Sequence, residues 1–330
     1  MKRNLIDPFI IALVAAVALA CFFPYPGTKE SPFHLHTIAD IGVSVIFLFY
    51  GLQLGPEKLK AGLHNTRLHL VIQASTFILF PAIIILLKPL FATAFLAQAW
   101  LPFFFLAALP STVSSSVVMV SIAGGNIPAA IFNASISSLL GIFITPVWMG
   151  LFIHSNAGDP GISYVIGKLL LQVLLPVAIG LVLHKRCWPF AARNKKQIKL
   201  FDQAIILLIV YCAFSESFYT GAFKNYSISS LLLLLFMVTA LFFLVYGIMT
   251  LVAVRLHFNR QDRITATFCG SKKSLVHGSV MAKVLFANAA NTGLILLPVM
   301  LFHAIQLMIV SIIAGKLHTK SYEQDYNISE

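Results

Sequence analysis

The chain is 330 residues long, 59% hydrophobic and only 10% charged, with a mean hydropathy of +0.90, a balance that excludes a soluble globular domain and places the protein in a bilayer. Its formal net charge of +12 would suit nucleic acid in a soluble protein. Here the basic residues sit in short loops between apolar runs, where they set topology, so a nucleic-acid partner is excluded and the lipid bilayer takes its place. The cysteines Cys21, Cys187, Cys212 and Cys269 are scattered, with no CxxC pair and no His cluster, so neither a disulfide framework nor a metal site is signalled.

A spanning helix needs about 20 mostly apolar residues, and that rule predicts ten spans, at 8–24, 36–54, 68–88, 98–122, 127–153, 161–184, 199–221, 228–255, 263–286 and 289–314. Lys2 and Arg3 precede the first run as in a signal peptide, yet no small-residue cleavage site follows, so the run is read as a span. With the N-terminus in the cytoplasm, sixteen Lys and Arg residues fall on that side, densest in the loop at 185–199, against Lys29, Lys88 and Lys224 on the other. That bias predicts an even number of spans with both termini cytoplasmic, in a multi-pass protein of a cell membrane, the inner membrane in a bacterium. The basic loop fixes orientation and can also meet anionic lipid. The expected organisation is one membrane domain, residues 1–330, in two five-span halves at about 8–153 and 161–314, with a cytoplasmic tail at 315–330. Because five is odd, the second half inserts upside down relative to the first.

Two spans are interrupted. In the fourth, Leu109-Pro110-Ser111-Thr112-Val113-Ser114-Ser115-Ser116 combines a proline that removes a backbone donor with hydroxyls that can rebond freed carbonyls or coordinate a cation. The plain alternative is a proline kink with serines packed small against neighbouring helices. Ala123-Gly124-Gly125-Asn126 then closes the span in a tight turn that favours positive φ. The fifth span returns Asn133, Ser135, Ser137 and Ser138 to the membrane, with Ser135 and Ser138 on one face.

The second interruption is Cys269-Gly270-Ser271-Lys272-Lys273-Ser274 in the ninth span. A lysine at the bilayer centre costs about 2.5–3.5 kcal/mol on insertion scales, so two adjacent ones need a polar setting or a snorkelling route. Lys272 lies nine residues past Arg263, roughly 14 Å along a helix, too deep to snorkel easily. Lys273 and His277 share a face at i,i+4, where His277 either tunes the lysine or packs as an ordinary hydrogen-bonded residue. Glu216, in the seventh span, is the carboxylate placed deepest in a span. It is a candidate counter-charge for either lysine, or else a headgroup-facing residue near the outer end. Two polar breaks, one per half, point to a transporter's binding centre. Nothing signals bond-breaking chemistry, as HExxH, GxxxxGK[ST], GxSxG and GxGxxG are all missing, so no catalytic residue and no cofactor is expected.

Leu109 to Pro146 and Phe268 to Phe286 resemble the bile acid:sodium symporter family, in its YfeH-like and sodium/bile acid cotransporter 7 branch. The stretches that carry the likeness are Leu109-Pro110-Ser111-Thr112-Val113, Ala123-Gly124-Gly125-Asn126, Ser137-Ser138-Leu139-Leu140-Gly141 and Cys269-Gly270-Ser271-Lys272-Lys273-Ser274-Leu275. The resemblance implies an all-α integral membrane fold of ten helices in two inverted repeats. It implies panel and core domains, with broken helices 4 and 9 crossing in the core beside sodium and organic-anion sites. Where sodium-coupled members carry Glu-x-Gly-x-Gln-Asn-Ser, this chain has Phe268-Cys269-Gly270-Ser271-Lys272-Lys273-Ser274; the family's fourth-helix Ser-Asn falls at Ser116-Val117, and its third-helix Gln at Thr76. The sodium site is therefore expected to be degraded at Phe268 and Val117. Lys272, or else Lys273, is expected to place an ammonium where relatives hold sodium and to attract an anion, and protonation of that lysine offers a coupling route.

These readings converge on a secondary transporter of a small organic anion, working by alternating access. The alternatives are a non-transporting regulator or scaffold on the same fold and a sodium symporter whose site has been rebuilt. The expected binding residues are Thr76, Ser111, Thr112, Ser114, Ser115, Ser116, Asn133, Ser135, Glu216, Ser271, Lys272, Lys273, Ser274 and His277.

Overall fold

The computed structural model describes residues 8–53, 65–92, 94–112, 114–152, 167, 171, 175–224, 227–286 and 291–328, which are helical or lie in the turns between helices. The helices are α1 (Pro8–Phe22), α2 (Leu35–Gln53), α3 (Thr66–Leu86), α4 (Ala94–Ala108), α5 (Ser114–Ile122), α6 (Ile127–Gly150), α7 (Leu175–Arg193), α8 (Lys195–Tyr219), α9 (Ile228–Arg255), α10 (Arg260–Gly270), α11 (Leu275–Leu285) and α12 (Thr292–Ile328). Among the described residues, six helices are long and apolar enough to cross a membrane: α2, α3, α6, α8, α9, and α12 as far as Leu317. The protein is a multi-pass integral membrane protein. Of the predicted sixth span, 161–184, residues 161–166, 168–170 and 172–174 lie outside the described residues.

Both predicted breaks are real interruptions. The fourth span divides into α4 and α5 around Leu109–Thr112, and the ninth into α10 and α11 around Ser271–Ser274. Gly124 takes φ +73° in the turn after α5, the conformation a glycine admits without strain.

The predicted loop at 185–199 is helical instead: α7 runs on to Arg193, and α8 starts at Lys195 after a turn at Asn194. Hydropathy marks only the apolar part of a helix. Past it, Ala191 and Ile198 still bury against Leu52 while the basic side chains reach outward. The tail predicted from 315 likewise continues α12 to Ile328.

The chain divides into two compact units that interleave along the sequence. The first holds residues 1–56, 146–228 and 276–297. Within it α2 lies against α7 at Gly51 and Gly180, where a side chain on either glycine would strike the other helix's backbone, the close approach that small residues permit in membranes. α8 packs on both α1 and α2, with Tyr211 Oη donating to the Phe23 carbonyl at 2.7 Å.

The second unit holds residues 57–145, 229–275 and 298–330. Its core includes Phe80, Phe242 and Phe302, with successive ring centroids about 6 Å apart. α3 carries a π turn at Ser75–Leu79. Asn65 caps the start of α3 and Asn259 the start of α10, each accepting a free first-turn N–H. Asn65, Asn126 and Asn259 also donate to the buried carboxylate of Asp262 at 2.8–3.0 Å, tying the entries of α3 and α10 to the turn after α5. α9 leaves Phe236 and Phe243 exposed, apolar rings of the kind that face acyl chains.

Candidate functional site

The two breaks meet inside the second unit. A helix that stops leaves its last four carbonyls without intrahelical donors, and in the bilayer interior no water replaces them. α4 stops because Pro110 lacks an N–H, and side chains take over its end: Thr145 Oγ1 donates to the Ala108 carbonyl at 2.7 Å, and Lys273 Nζ donates to Ala107 at 2.6 Å and Leu109 at 2.7 Å. At the end of α10, Ser111 Oγ donates to the Cys269 carbonyl, Ser75 Oγ to that of Gly270, both at 2.8 Å, and Ser271 Oγ to that of Thr267 at 2.7 Å. The backbone closes the crossing, with Ser274 N donating to the Pro110 carbonyl at 2.9 Å. Each break thus caps the other. Gly141 makes room for it, since a Cβ there would stand 2.7 Å from the Pro110 ring.

Lys273 is the centre of this arrangement. It is 1% exposed, and its ammonium donates to three carbonyls: Ala107, Leu109, and Thr76 at 2.7 Å. The Phe80 ring covers it at 4.1 Å, a cation–π contact that matters more when water is excluded. The Thr76 carbonyl lies within the π turn, where the regular i→i−4 ladder of α3 is interrupted. The lysine backbone is pinned separately by Gln306, which accepts from Lys273 N at 2.9 Å and donates to Lys273 O at 2.7 Å. Gln306 is itself 2.8 Å from His303 Nδ1. A protonated amine at a helix C-terminus complements the negative end of the helix dipole, and the partners of this one are neutral carbonyls.

Lys272 is equally buried and donates to the Ser115 carbonyl, in the first turn of α5, at 3.0 Å. Ser115 Oγ donates to Thr112 Oγ1 at 3.2 Å. Ser116 is fully buried, and its hydroxyl has no partner among the described residues. Ser114 opens α5. Thr76 enters through its carbonyl, because its hydroxyl bonds the Ile72 carbonyl of its own helix. Phe268 is buried, with its ring centroid 6.4 Å from that of Tyr246.

Other expected site residues have partners away from the crossing. Asn133 donates to His69 Nδ1 at 2.7 Å and accepts from Gln73 Nε2 at 3.2 Å, linking α6 to α3. Ser135 and Ser138 bond the Ile131 and Ala134 carbonyls of their own helix. The serine of α6 that reaches the break is Ser137, whose hydroxyl accepts from Ser111 N at 2.9 Å. His277 and Glu216 belong to the first unit. His277 sits edge-on to Phe47 and Tyr50 of α2, and Glu216 accepts from Lys29 N at 3.2 Å. The lysine ammoniums find their partners within the second unit. Thr145, Gln306 and the π turn escaped the sequence reading, whereas Ser137 was named there with the polar residues of the fifth span but not among the binding residues.

An all-helical membrane protein with paired, mutually capped helix breaks is built as transporters are. The chain belongs to the SBF-like CPA transporter family, whose model matches residues 7–319, a family of transporters and not of enzymes. Similar proteins include PA2026 of Pseudomonas aeruginosa, 40% identical over 314 residues, and YfeH of Escherichia coli (strain K12), 40% identical over 316, each alignment covering 95% of this chain and 93% of the relative. The sodium/bile acid cotransporter 7 of Danio rerio is 31% identical over 317 residues, covering 94% of this chain and 93% of the relative.

Proposed function

We propose that this protein is a secondary transporter of a small organic anion, working by alternating access, in which the Lys273 ammonium stands where sodium-coupled relatives hold their ion. The supporting observation is the Lys273 ammonium bound by carbonyls of Thr76, Ala107 and Leu109 where the two breaks meet. Two of these carbonyls come from the end of α4. Carbonyls at a broken helix end are the groups that coordinate a monovalent cation in discontinuous transporter helices; here a tethered cation takes them.

The remaining donors do not suit sodium. The position of the relatives' carboxylate is the buried Phe268, and the Thr76 hydroxyl is engaged within its own helix. A site with an uncancelled ammonium and the positive end of α5 favours an anion over a cation. Lys272, at the first turn of α5, is the side chain assigned to meet the anion's charge. The bile acid and sodium in the names of the cotransporter 7 relatives set the first substrates to try. This reading keeps the ten-helix inverted-repeat plan, with the core domain moving against the panel, and both termini in the cytoplasm of a bacterial inner membrane.

The test is uptake into proteoliposomes of a panel of organic anions, beginning with taurocholate, under imposed sodium or proton gradients. The expected result is anion uptake that persists when sodium is replaced by N-methylglucamine. Uptake that strictly requires sodium would favour the rebuilt-symporter reading. No flux of any anion under any gradient would favour the scaffold.

A further inference from the structure

A third lysine of the same stretch, Lys283, holds a different position. In the first unit, α11 is docked along α2 at two points. Lys283 Nζ donates to the His36 carbonyl at 2.6 Å and lies 3.4 Å from Asp40 Oδ1. Six residues earlier, roughly 9 Å along the helix, His277 packs edge-on to Tyr50 at 5.6 Å between ring centroids. Beside Lys283 is a small pocket of about 40 Å³, lined by Lys29, His36, Cys212, Glu216 and Thr292 and by the apolar Ile209, Ala213 and Phe286, large enough for water. Its walls are tied together: His36 Nε2 lies 2.9 Å from the Gly27 carbonyl, Glu216 accepts from Lys29 N, and Ser217 Oγ accepts from Gly293 N at 3.0 Å. These residues sit at the ends of α2, α8, α11 and α12 on the side that the loop charges assign to the outside.

We propose that Lys283 is the latch of an outer gate. α11 lies closed on α2 in this structure and separates from it when the pocket opens outward, the Lys283 ammonium leaving the His36 carbonyl and Asp40. The chemistry suits a contact made to break. Asp40 is 42% exposed and Lys283 10%, so water screens the pair from the Asp40 side and weakens it, and the pocket lets a released ammonium hydrate at once. The groups facing Lys283 are Asp40 and His36 from α2, Glu216 and Cys212 from α8, Lys29 from the preceding turn and Thr292 from α12.

Cys212 supplies the reporter, being a free thiol, 2% exposed, in the pocket lining. In a background with Cys21 and Cys187 replaced by alanine, a membrane-impermeant methanethiosulfonate is applied from outside, and the signal is the labelling that Cys212→Ala abolishes. Asp40→Asn is expected to speed labelling by up to about fivefold, a shift of up to about 1 kcal/mol in the open population. Lys283→Met should speed it more, and adding Asp40→Asn to Lys283→Met should change nothing further, because the two act on one contact. Labelling unchanged by Asp40→Asn, whose half-exposed site keeps the fold safe, would overturn the latch. The proposal rests on the alternating-access reading, and the two fail separately. Labelling that responds to Asp40→Asn in a protein with no anion flux would sink the transport reading alone, whereas flux with labelling indifferent to Asp40 would sink the latch alone.

Discussion

Lys273 and Lys283 lie on one short stretch of chain and meet opposite surroundings. Lys273 is sealed under Phe80 and donates to three neutral carbonyls; Lys283 donates to the His36 carbonyl and lies beside a half-exposed carboxylate and a small pocket. Burial without a carboxylate makes every lost bond expensive, since the orphaned carbonyls stay dry. A carboxylate at the water's edge neutralises the charge and makes release cheap. The same residue type serves as a fixed part in one unit and as an exchangeable contact in the other.

The comparison can be broken by stability measurements on detergent-purified protein. Lys273→Met, which leaves three carbonyls without their donor, should cost about 3 kcal/mol or more and lower the thermal midpoint further than any other substitution named here. Lys273→Arg should not restore it, because a planar guanidinium cannot reproduce a compact ammonium in a sealed site. If Lys283→Met costs as much as Lys273→Met, the distinction between the two lysines fails. Gly141→Leu, which drives a side chain into the Pro110 ring, should cost about 1–3 kcal/mol by overpacking. Gln306→Leu removes both bonds to the Lys273 backbone and should cost a similar 1–3 kcal/mol; its signature is a loss of stability without new labelling at Cys212. Asp40→Asn should cost least, about 0–1 kcal/mol, while still speeding labelling at Cys212.

The positions of both breaks could be read directly, because a proline with serines, or two lysines, in an apolar run conflicts with lipid at the level of single residues. The turn at Gly124 followed from the same kind of local argument. What stayed hidden depended on neighbours distant in sequence. Gln306 and Thr145 are single polar residues in apolar helices, with no periodicity to mark them, and they matter because the fold brings them to Lys273 and to the Ala108 carbonyl. The π turn at Ser75–Leu79 has no compositional signature. Glu216 shows the limit of depth arguments. A carboxylate and two lysines in apolar spans suggest a pair, yet depth along a helix says nothing about which helices are adjacent, and Glu216 bonds Lys29 N within its own unit.

The central claim is that a tethered ammonium has taken over the place of sodium. Equilibrium binding of ²²Na⁺ to the purified wild-type protein, beside a sodium-coupled relative as positive control, tests it without knowledge of the substrate. The account predicts no saturable sodium binding by this protein under conditions where the relative binds. Saturable, stoichiometric binding by the wild-type chain would contradict it.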